Sequence, residues 1–280
     1  MKLSIIIVNF NTPELTIQAV NSCYKFINNQ EFEIIVVDNG STTGKITEEF
    51  KNFHNLKLIE STDNIGFGRA NNLGFENSIG KYVLLLNSDA YLIDEQSVRL
   101  MIDYLSKNDK VGIVGPNFLK ADGTKNYAYG NLLSFRKYLS DMGVFPISKN
   151  NYSKYSTYKV CDVDSPTEVD YLGAAGIILK RDEIIKNGLF DPKFFLYFED
   201  MELGWRYNKN GCKSVLLPAA QIVHLGGESS GNLSLFVKGK IEESKIYFLK
   251  KTFGLPLFYV SQIIKMGYLP IKKIIKKIVR

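Results

Sequence analysis

Three carboxylates follow a run of aromatic and aliphatic residues in the segment FFLYFEDMELGWR, Phe194–Arg206. Charged groups without partners avoid such apolar surroundings, so Glu199, Asp200 and Glu202 need an explanation. Acids here can start a helix, bind a metal ion or take a proton from a substrate. The following letters, DMELGWRYNKNG, predict a helix that ends at Gly211, so capping by Asp200 is the structural alternative to catalysis.

Two further acids stand at the ends of apolar runs in the first third of the chain. Asp89 follows the apolar run in LLLNSDA, where a carboxylate can hold a divalent cation between phosphates. Because Asn, Ser and Asp also favour turns, a plain turn is the alternative. Asp38 follows IIVV, where a carboxylate can accept a nucleobase N–H or instead cap a turn. Acids on neighbouring edges of one predicted sheet together indicate a shared ligand cleft.

Arg69 and His224 are candidates for phosphate and metal binding. Arg69 falls in the first turn of a helix predicted after Gly66 and Gly68, where it either meets a phosphate or is an exposed charge. The glycines do not make a dinucleotide fingerprint, because Asn71 stands where the third glycine should be. His224 ends an apolar run and is interpreted either as a metal ligand or as a structural histidine.

Other kinds of catalytic site have no matching motif. The sequence contains no G-x-S-x-G, P-loop or H-E-x-x-H pattern. Cys23, Cys161 and Cys212 form no C-x-x-C pair, which predicts reduced thiols rather than a disulfide framework or a zinc site. Acid-driven chemistry on a phosphate-bearing ligand is the class that remains.

The elements that position these candidates are apolar runs alternating with helical segments. The runs predict strands over Leu3–Asn11, Phe32–Ser41, Leu56–Ser61 and Tyr82–Ala90, and the segments predict helices over Glu14–Phe26 and Arg69–Ser78. Such alternation predicts a parallel, doubly wound sheet, and ligands bind at the carboxyl ends of its strands. Asn9, Asn11 and the stretch from Asn87 to Asp89 lie at those ends.

The alternation changes after Val111. The stretch from Val111 to Gly130 predicts a β-hairpin with its turn at Asp122-Gly123. Ser134–Thr167 is polar and lacks periodicity, which predicts a long functional or mobile loop. A buried strand is predicted over Val169–Arg181, followed by a short helix that stops at Gly188.

Size and charge set the remaining limits. The 280 residues are 45% hydrophobic and 23% charged, as in an ordinary soluble protein, and the formal net charge is +6. The charge is local, because Val237–Arg280 holds eleven Lys or Arg and two Glu. No stretch reaches the roughly 18 apolar residues of a spanning helix. Isoleucines and lysines alternate at helical spacing after Pro270, which predicts an amphipathic helix on an anionic membrane surface, or docked on the protein's own core.

Seven motifs, taken in order, resemble the family 2 glycosyltransferases of GT-A fold, in particular their bacterial rhamnosyltransferase-like branch. The resemblance runs from Leu3 to about Gly227. Its motifs are SIIIVNFN, IIVVDNGS, NIGFGRANNLG, LLLNSDA, GAAGIILKR, FFLYFEDMELGWR and IVHLGG.

The resemblance implies an α/β, GT-A fold: a Rossmann-like, mostly parallel central sheet flanked by helices, with a smaller acceptor-side region and an amphipathic helical tail. We expect a glycosyltransferase domain over 1–236 and the basic tail over 237–280. Within the domain, 1–110 is the expected nucleotide-sugar-binding half and 111–236 the expected acceptor-side half.

Roles for individual residues follow from the resemblance as well. Asp200 matches the general base, with Glu199 beside it, and Trp205 is either core or part of an acceptor platform. Asp89 takes the last position of the D-x-D metal motif and His224 completes the metal site. Nucleotide-sugar binding falls to Asn9, Asn11, Asp38, Arg69, Asn87 and Ser88.

The expected activity is inverting transfer of a sugar, L-rhamnose from dTDP-rhamnose, to a hydroxyl of a bacterial surface glycan or lipid-linked acceptor, with Mg²⁺ or Mn²⁺. UDP-galactofuranose or UDP-glucose are alternative donors, and a non-catalytic glycan- or nucleotide-sugar-binding module is the alternative of another class. We expect a cytoplasmic protein, peripheral on the inner face of the cell membrane, that binds no nucleic acid. The acceptor, the linkage and the oligomeric state are left open by the sequence.

Overall fold

The computed structural model describes residues 2–27, 32–43, 50, 53–144, 147–148, 153–226 and 235–278, and of residues 153, 265 and 268–278 the backbone alone. The strands are β1 Leu3–Asn9, β2 Phe32–Asp38, β3 Leu56–Glu60, β4 Tyr82–Asn87, β5 Ala90–Leu92, β6 Val111–Leu119, β7 Tyr127–Gly130, β8 Lys159–Val160, β9 Thr167–Val169, β10 Tyr171–Leu172, β11 Gly176–Lys180 and β12 Lys213–His224. The helices are α1 Pro13–Phe26, α2 Phe67–Glu76, α3 Ser97–Lys107, α4 Phe135–Asp141, α5 Arg181–Asn187, α6 Glu199–Lys209 and α7 Leu235–Ile278.

A nine-stranded sheet forms the centre of the fold, in the order β3-β2-β1-β4-β11-β6-β12-β5, with β9 added against β12. Strands β1 to β4 pair in parallel. Nearly all Ile, Val and Leu side chains of β1, β2 and β4 are buried on both faces, which is why these strands are continuous apolar runs, whereas those of the edge strand β3 are half-buried. The four predicted strands and the helices α1 and α2 between them are confirmed.

The second half of the sheet mixes directions. Strand β11 runs antiparallel to both of its neighbours, β4 and β6. Strand β12 runs parallel to β6 and antiparallel to β5, so it carries its last residue, His224, back to the carboxyl end of β4. Because β6 and β12 run in the same direction as β4, six of the nine strands share one direction and only β11, β5 and β9 oppose it. The predicted mostly parallel sheet is therefore confirmed.

The predicted hairpin is confirmed at its turn and in the pairing next to it. Lys120 N donates to Thr124 O at 2.8 Å, Asn126 N donates to Phe118 O at 2.7 Å, and Leu119 pairs antiparallel with Lys125. Beyond these residues the second strand leaves β6, and β7 pairs with β8 and β10 in a separate three-stranded sheet. Farther from the turn, that edge of β6 is occupied by β11, at Ile113 and Val114.

The segment predicted as a long loop contains secondary structure. Helix α4 begins after Ser134, whose Oγ accepts a hydrogen bond from Lys137 N at 3.2 Å, and β8 follows at Lys159. Within this segment, 145–146 and 149–152 lie outside the described residues. The strand predicted over Val169–Arg181 is divided into β10 and β11 by Gly173–Ala175, which line the candidate site.

The basic tail is a helix, but it does not begin after Pro270. Helix α7 starts at Leu235 and passes through Pro270, with one break at Gly254, whose φ of 76° suits a residue without a Cβ. Before the break, Phe248 and Leu249 are buried in a second core cluster with Phe194 and Met201. Among the described helices, none has the length and apolar content needed to cross a membrane.

Candidate active site

A cleft of about 520 Å³ opens where β4 ends, between the central sheet and the small three-stranded sheet. Sequence-predicted residues in its wall are Asn87, Asp89, Glu199, Asp200 and His224. They come from three distant parts of the chain: the end of β4, the start of α6 and the end of β12. The carboxyl-end position expected for a ligand site in an α/β sheet is therefore the one that collects these polar groups.

Asp89 and His224 lie side by side in this cleft. The antiparallel register of β5 and β12 sets His224 opposite Ala90, and Leu225 N donates to Asp89 O at 2.9 Å. Their side chains approach to 3.4 Å between Asp89 Oδ1 and His224 Nε2. The pair is thus held by backbone pairing, and its geometry does not depend on a flexible loop.

The Asp89–His224 pair fits a divalent cation. A carboxylate oxygen and an imidazole nitrogen are both metal ligands, and Asp89 is nearly buried, so its charge calls for a positive partner. In the part of the chain that the structure describes, no third His, Cys, Asp or Glu joins them in a metal-binding group. Any further ligands would have to be water or phosphate oxygens, as is common for Mg²⁺-type sites.

The aromatic run before α6 is divided between two sides of the molecule. Phe194 is buried and its ring lies 5.0 Å from that of Tyr247 on α7, while the rings of Phe198 and Phe248 are 5.7 Å apart. Leu196 and Tyr197 instead line the cleft. Only part of the run forms the cleft wall, and the rest anchors the segment to α7.

Two consecutive left-handed residues aim this segment into the cleft. Tyr197 and Phe198 have φ values of 62° and 69°, a conformation that costs residues other than Gly, Asn and Asp of order 1–3 kcal/mol each. They turn the chain sharply so that α6 begins at Glu199 with its first turn at the cleft. The residue preceding the helix is Phe198, so the capping interpretation of Asp200 does not hold.

Glu199 and Asp200 are adjacent carboxyls in a poorly solvated place. Burial raises the pKa of Glu199, and the neighbouring charge of Asp200 raises it further. Burial also raises the pKa of Asp200, which accepts a hydrogen bond from Met201 N at 2.7 Å. Among the described atoms, Glu199 Oε2 is buried without a hydrogen-bond partner, whereas Asp200 is half-buried and reaches the cleft. With raised pKa values, these carboxyls can take up a proton from a bound group or release one to it near neutral pH.

A separate polar cluster lies at the ends of β1 and β2. Asp38 is nearly buried and accepts from Asn9 Nδ2 at 3.0 Å and from Ser41 N at 2.8 Å. Asn11 Oδ1 accepts from Thr42 N and Thr43 N, at 2.9 and 3.0 Å. The turn interpretation of Asp38 is therefore present in the structure, and its contact with a nucleobase stays a prediction.

Ser88 connects this cluster to the cleft. Its hydroxyl lies 3.1 Å from Thr12 Oγ1, and Thr12 contacts Asn9 Oδ1 at 3.3 Å. Asn87, which directly precedes Ser88, lines the cleft, and its backbone N donates to Ala175 O at 3.0 Å. The two groups of candidate residues are thus neighbours along the edge of one sheet.

Arg69 and Trp205 lie farther from the cleft centre. Arg69 is exposed in the first turn of α2, and its Nε donates to Pro192 O at 2.6 Å. The glycine before that helix, Gly66, has φ 89° and packs so closely that a Cβ would meet Phe195 O at 2.6 Å. Trp205 is half-buried lower on α6 with Lys209 Nζ 5.1 Å from its ring centre, and it is not among the described residues of the cleft wall.

Sequence reasoning missed the tyrosines of the cleft. The wall includes Tyr127, Tyr129, Tyr158, Tyr171 and Tyr197. The high tyrosine content around β7 and β8 was the available signal, but the pairing that brings these strands to the cleft is not visible locally. A second cavity, of about 380 Å³ beside Lys2 and Leu3, lies at the opposite, amino end of β1, where this fold class does not bind ligands.

Comparison with known proteins identifies the same fold and a family. The model of the family described as Glycosyl transferase family 2 matches residues 4–164. The N-acetylglucosaminyl-diphospho-decaprenol L-rhamnosyltransferase of Mycobacterium tuberculosis is 26% identical over 211 residues, 71% of this chain and 68% of that protein. The poly(ribitol-phosphate) beta-N-acetylglucosaminyltransferase TarS of Staphylococcus aureus is 34% identical over 99 residues, 34% of this chain and 17% of TarS.

Solved structures agree in fold. GalNAc-T7, crystallised with UDP, GalNAc and Mn²⁺, superposes with a TM-score of 0.63 at 16% identity, covering 89% of this chain and 50% of GalNAc-T7. Residues 1–349 of S. aureus TarS superpose with a TM-score of 0.54 at 19% identity, covering 91% of this chain and 72% of that one. These matches confirm the predicted GT-A fold.

Proposed function

Because this chain belongs to glycosyl transferase family 2 and is a glycosyltransferase, we propose that it transfers a sugar from a nucleotide-sugar donor to a hydroxyl of a glycan acceptor, with inversion. One observation carries the proposal: Asp200, a half-buried carboxyl with a raised pKa, shares a cleft with the Asp89–His224 pair. A base and a candidate diphosphate-binding group thus face one space.

The donor is proposed to lie along the carboxyl edge of β1, β2 and β4. Asp38, oriented by Asn9 and Ser41, accepts the N–H of the nucleobase, and Asn11 shapes the same pocket. The diphosphate then extends past Asn87 and Ser88 towards Asp89. Arg69, exposed beside this edge, contributes positive charge to the diphosphate.

Asp89 and His224 are the residues that would hold a divalent cation. Because imidazole nitrogen is a softer ligand than oxygen, the pair favours Mn²⁺ over Mg²⁺. When bound, the cation neutralises charge that develops on the diphosphate as it leaves.

Asp200 is proposed to act as the general base. Its carboxylate takes the proton of the acceptor hydroxyl while that oxygen forms a bond to the anomeric carbon. The bond from the anomeric carbon to the diphosphate oxygen breaks at the same time, and the diphosphate departs with the bonding electrons. Attack from the face opposite the leaving group inverts the anomeric configuration. The raised pKa brings the base closer to the operating pH, where proton transfer is most efficient.

L-rhamnose carried by dTDP is the donor we propose. It is supported by the similarity to the M. tuberculosis L-rhamnosyltransferase, whose name gives a lipid-linked N-acetylglucosaminyl diphosphate as its acceptor. UDP-galactofuranose and UDP-glucose stay the alternative donors expected from the sequence, and the similarity to TarS, named as an N-acetylglucosaminyltransferase, adds an N-acetylglucosamine donor to them. Thermal shift with each nucleotide sugar, with and without Mn²⁺, discriminates among them, since a ligand that binds the folded state raises the melting temperature.

The Asp200→Asn variant tests the proposed base. We expect transfer to fall by about 10²–10⁴-fold, because an amide cannot accept the proton, while donor-induced thermal stabilisation is retained. Asp182→Asn is a matched control, since Asp182 is the second residue of α5 as Asp200 is of α6, and it is exposed. Undiminished transfer by Asp200→Asn would show that the base is another group. Stabilisation by a nucleotide sugar without transfer by the unaltered chain would favour a non-catalytic nucleotide-sugar-binding module, and absence of stabilisation by every nucleotide sugar would favour a glycan-binding one.

The acceptor is proposed to be presented at a membrane surface, on its cytoplasmic side. Beyond the break at Gly254, helix α7 leaves apolar side chains exposed: Leu255, Leu257, Tyr259, Val260, Ile263 and Met266. The isoleucine and lysine pattern of 271–280 follows directly in the sequence, and the side chains there lie outside the described residues. An apolar face that continues into a lysine-rich stretch suits anionic lipid headgroups over an acyl boundary.

A further inference from the structure

The small three-stranded sheet presents exposed aromatic rings to the candidate active site. Along β7, Tyr127 is exposed and Tyr129 half-buried, while Ala128 and Gly130 are buried, and the cleft is lined by Tyr127, Ala128 and Tyr129. Tyr127 is 61% exposed and Tyr158, which precedes β8, is 56% exposed. Large aromatic side chains in such positions usually serve recognition, because leaving them in water forgoes the gain of burying them.

Tyr127 and Tyr158 form one surface. Their ring centres lie 6.0 Å apart at an interplanar angle of 60°, and strand pairing of Tyr127 with Val160 holds the two segments together. Two contacts of the neighbouring Tyr129 hold these segments in place. The Tyr129 hydroxyl donates to Asp162 Oδ1, and Lys159 Nζ lies 5.5 Å from the Tyr129 ring centre. The aromatic surface is therefore built before any ligand arrives, which lowers the entropy cost of binding.

The surface adjoins the proposed base. Desolvation raises the pKa of Tyr158, and the negative charge of Asp200 raises it further, so the two side chains lie within electrostatic reach. Tyr197, 37% exposed, lies in the same wall directly before Glu199 and Asp200. The sugar whose hydroxyl contacts Asp200 thus shares the cleft wall with Tyr197, and the Tyr127–Tyr158 surface is a more solvent-exposed part of the same wall.

We propose that Tyr127 and Tyr158 form a subsite for a second sugar ring of the acceptor, adjacent to the ring whose hydroxyl is glycosylated. The inference rests on the proposed transferase function and extends it, because it requires an acceptor of at least two sugars. A pyranose has an apolar face of C–H groups that stacks on an aromatic ring, and hydroxyls that need polar partners at its edge. Asn126 and Lys120, both in the cleft wall, supply such partners.

The rival occupant of this position is the diphosphate of a lipid-linked acceptor carrying one sugar. A diphosphate is recognised by several cations or by backbone N–H groups, not by tyrosine rings. Among the described residues of the cleft wall, Lys120 is the one lysine and there is no arginine. The chemistry of the wall therefore favours a neutral sugar over a diphosphate.

A printed array tests the subsite directly. It carries bacterial surface oligosaccharides, their terminal monosaccharides and N-acetylglucosaminyl diphosphate on a short lipid, and it is probed with the full chain plus Mn²⁺ and UDP or dTDP. We expect at least one oligosaccharide to bind about tenfold or more tightly than its terminal monosaccharide, and Tyr127→Ala/Tyr158→Ala to remove that advantage. Tyr127→Phe/Tyr158→Phe should retain it, because the rings remain.

The controls separate the subsite from the proposed function. Tyr259→Ala removes a tyrosine that is also 56% exposed but lies on α7, and it should bind the array as the unaltered chain does. Donor-induced thermal stabilisation should be the same in all these variants, since none touches the donor side. If no nucleotide sugar stabilises the unaltered chain, that result counts against the proposed transferase function and not against the subsite.

Three results would overturn the subsite. They are an array on which no oligosaccharide binds, equal binding of an oligosaccharide and its terminal monosaccharide, and an oligosaccharide advantage that survives in the double alanine variant. A fourth result would assign this position to the diphosphate. In it, the chain binds N-acetylglucosaminyl diphosphate on the lipid in preference to the oligosaccharides, Lys120→Met abolishes that binding, and Tyr127→Ala/Tyr158→Ala does not.

Discussion

Glu199 is held in the folded protein under conditions that oppose its ionisation. It is 6% exposed, and burial and the charge of Asp200 raise its pKa above that of a carboxyl in the unfolded chain. Folding therefore favours the protonated form. The stability gained this way is fully present below the ordinary carboxyl pKa of about 4 and is lost as the pH rises through the raised value.

Glu199→Gln is expected to remove this pH dependence. The amide keeps the shape of the protonated acid and cannot ionise, so the variant should melt at a higher temperature than the unaltered chain at about pH 8 and lose less stability between about pH 5 and 8. Thermal unfolding at the two pH values measures the effect, and Glu60→Gln, at an exposed carboxyl, is the control. Parallel curves for Glu199→Gln and the unaltered chain would contradict the expectation.

Some residues of the site could be predicted from the sequence because their signal is local. Asp89 and His224 each end an apolar run, and the strands carry them to one edge of the sheet. The left-handed turn at Tyr197 and Phe198 could not be predicted, since neither residue type favours positive φ. The surrounding packing on α7, which imposes the turn, depends on contacts with residues far along the chain.

At the scale of elements, an ion cluster joins α7 to the helix that carries the proposed base. Glu202 of α6 is fully buried and accepts from Arg206 Nε at 2.9 Å and from Lys251 Nζ at 2.7 Å. Lys251 also contacts Asp191 Oδ2 at 2.6 Å. The first part of α7 thus helps to hold α6 in place through the Asp191–Glu202–Arg206–Lys251 cluster.

Lys251→Met is expected to lower the free energy of unfolding by about 2 kcal/mol, because two charge-assisted hydrogen bonds are lost and Glu202 keeps only Arg206. Chemical denaturation measures the change. Lys240→Met is the matched control on the same helix: Lys240 pairs with exposed Glu243 at 2.8 Å, and such surface pairs contribute little. Equal effects of the two substitutions would argue against a structural role for the cluster.

Element boundaries could be predicted from the sequence where hydrophobic periodicity is strong. The predictions failed where the position of a strand depends on which partner it pairs with. Strands β1, β2 and β4 lie close to their predicted positions because burial on both faces gives a local signal, and helix α6 ends close to Gly211 because a glycine is a local stop signal. The pairing of β7 with β8 and β10 is a competition between edges that no short segment encodes. Pro270 predicted a helix start, yet helix α7 begins at Leu235 and runs through Pro270, so this proline marks no helix boundary.

At the scale of the whole molecule, positive charge and exposed apolar side chains are concentrated at the C-terminal end of the chain. Residues of α7 before Gly254 pack on the core, and several after it are exposed. The two sequence interpretations of 271–280, on a membrane surface or on the protein's own core, stay predictions, because the side chains there lie outside the described residues. The lysines of this region stand against a remainder of the chain in which acids slightly outnumber bases. A surface of anionic lipid would attract one end of the molecule and repel the rest.

Removal of Ile271–Arg280 is expected to weaken binding to vesicles that contain phosphatidylglycerol, because lysines near the surface are each worth about 1 kcal/mol. Binding of the unaltered chain should also fall at high salt, and it should be weak on phosphatidylcholine alone. Flotation of the vesicles measures both. Donor-induced thermal stabilisation of the truncated chain serves as the folding control. Unchanged flotation after truncation would exclude the tail as the membrane contact.

The antiparallel pairing of β5 with β12 also bears on how the protein is made. Asp89 is synthesised early, but His224 arrives on the last strand of the sheet, so the two come together only after most of the chain has left the ribosome. Pairing between such distant segments is slow compared with local folding. A nascent chain can therefore fold its first four strands and still lack the Asp89–His224 pair until synthesis has passed β12.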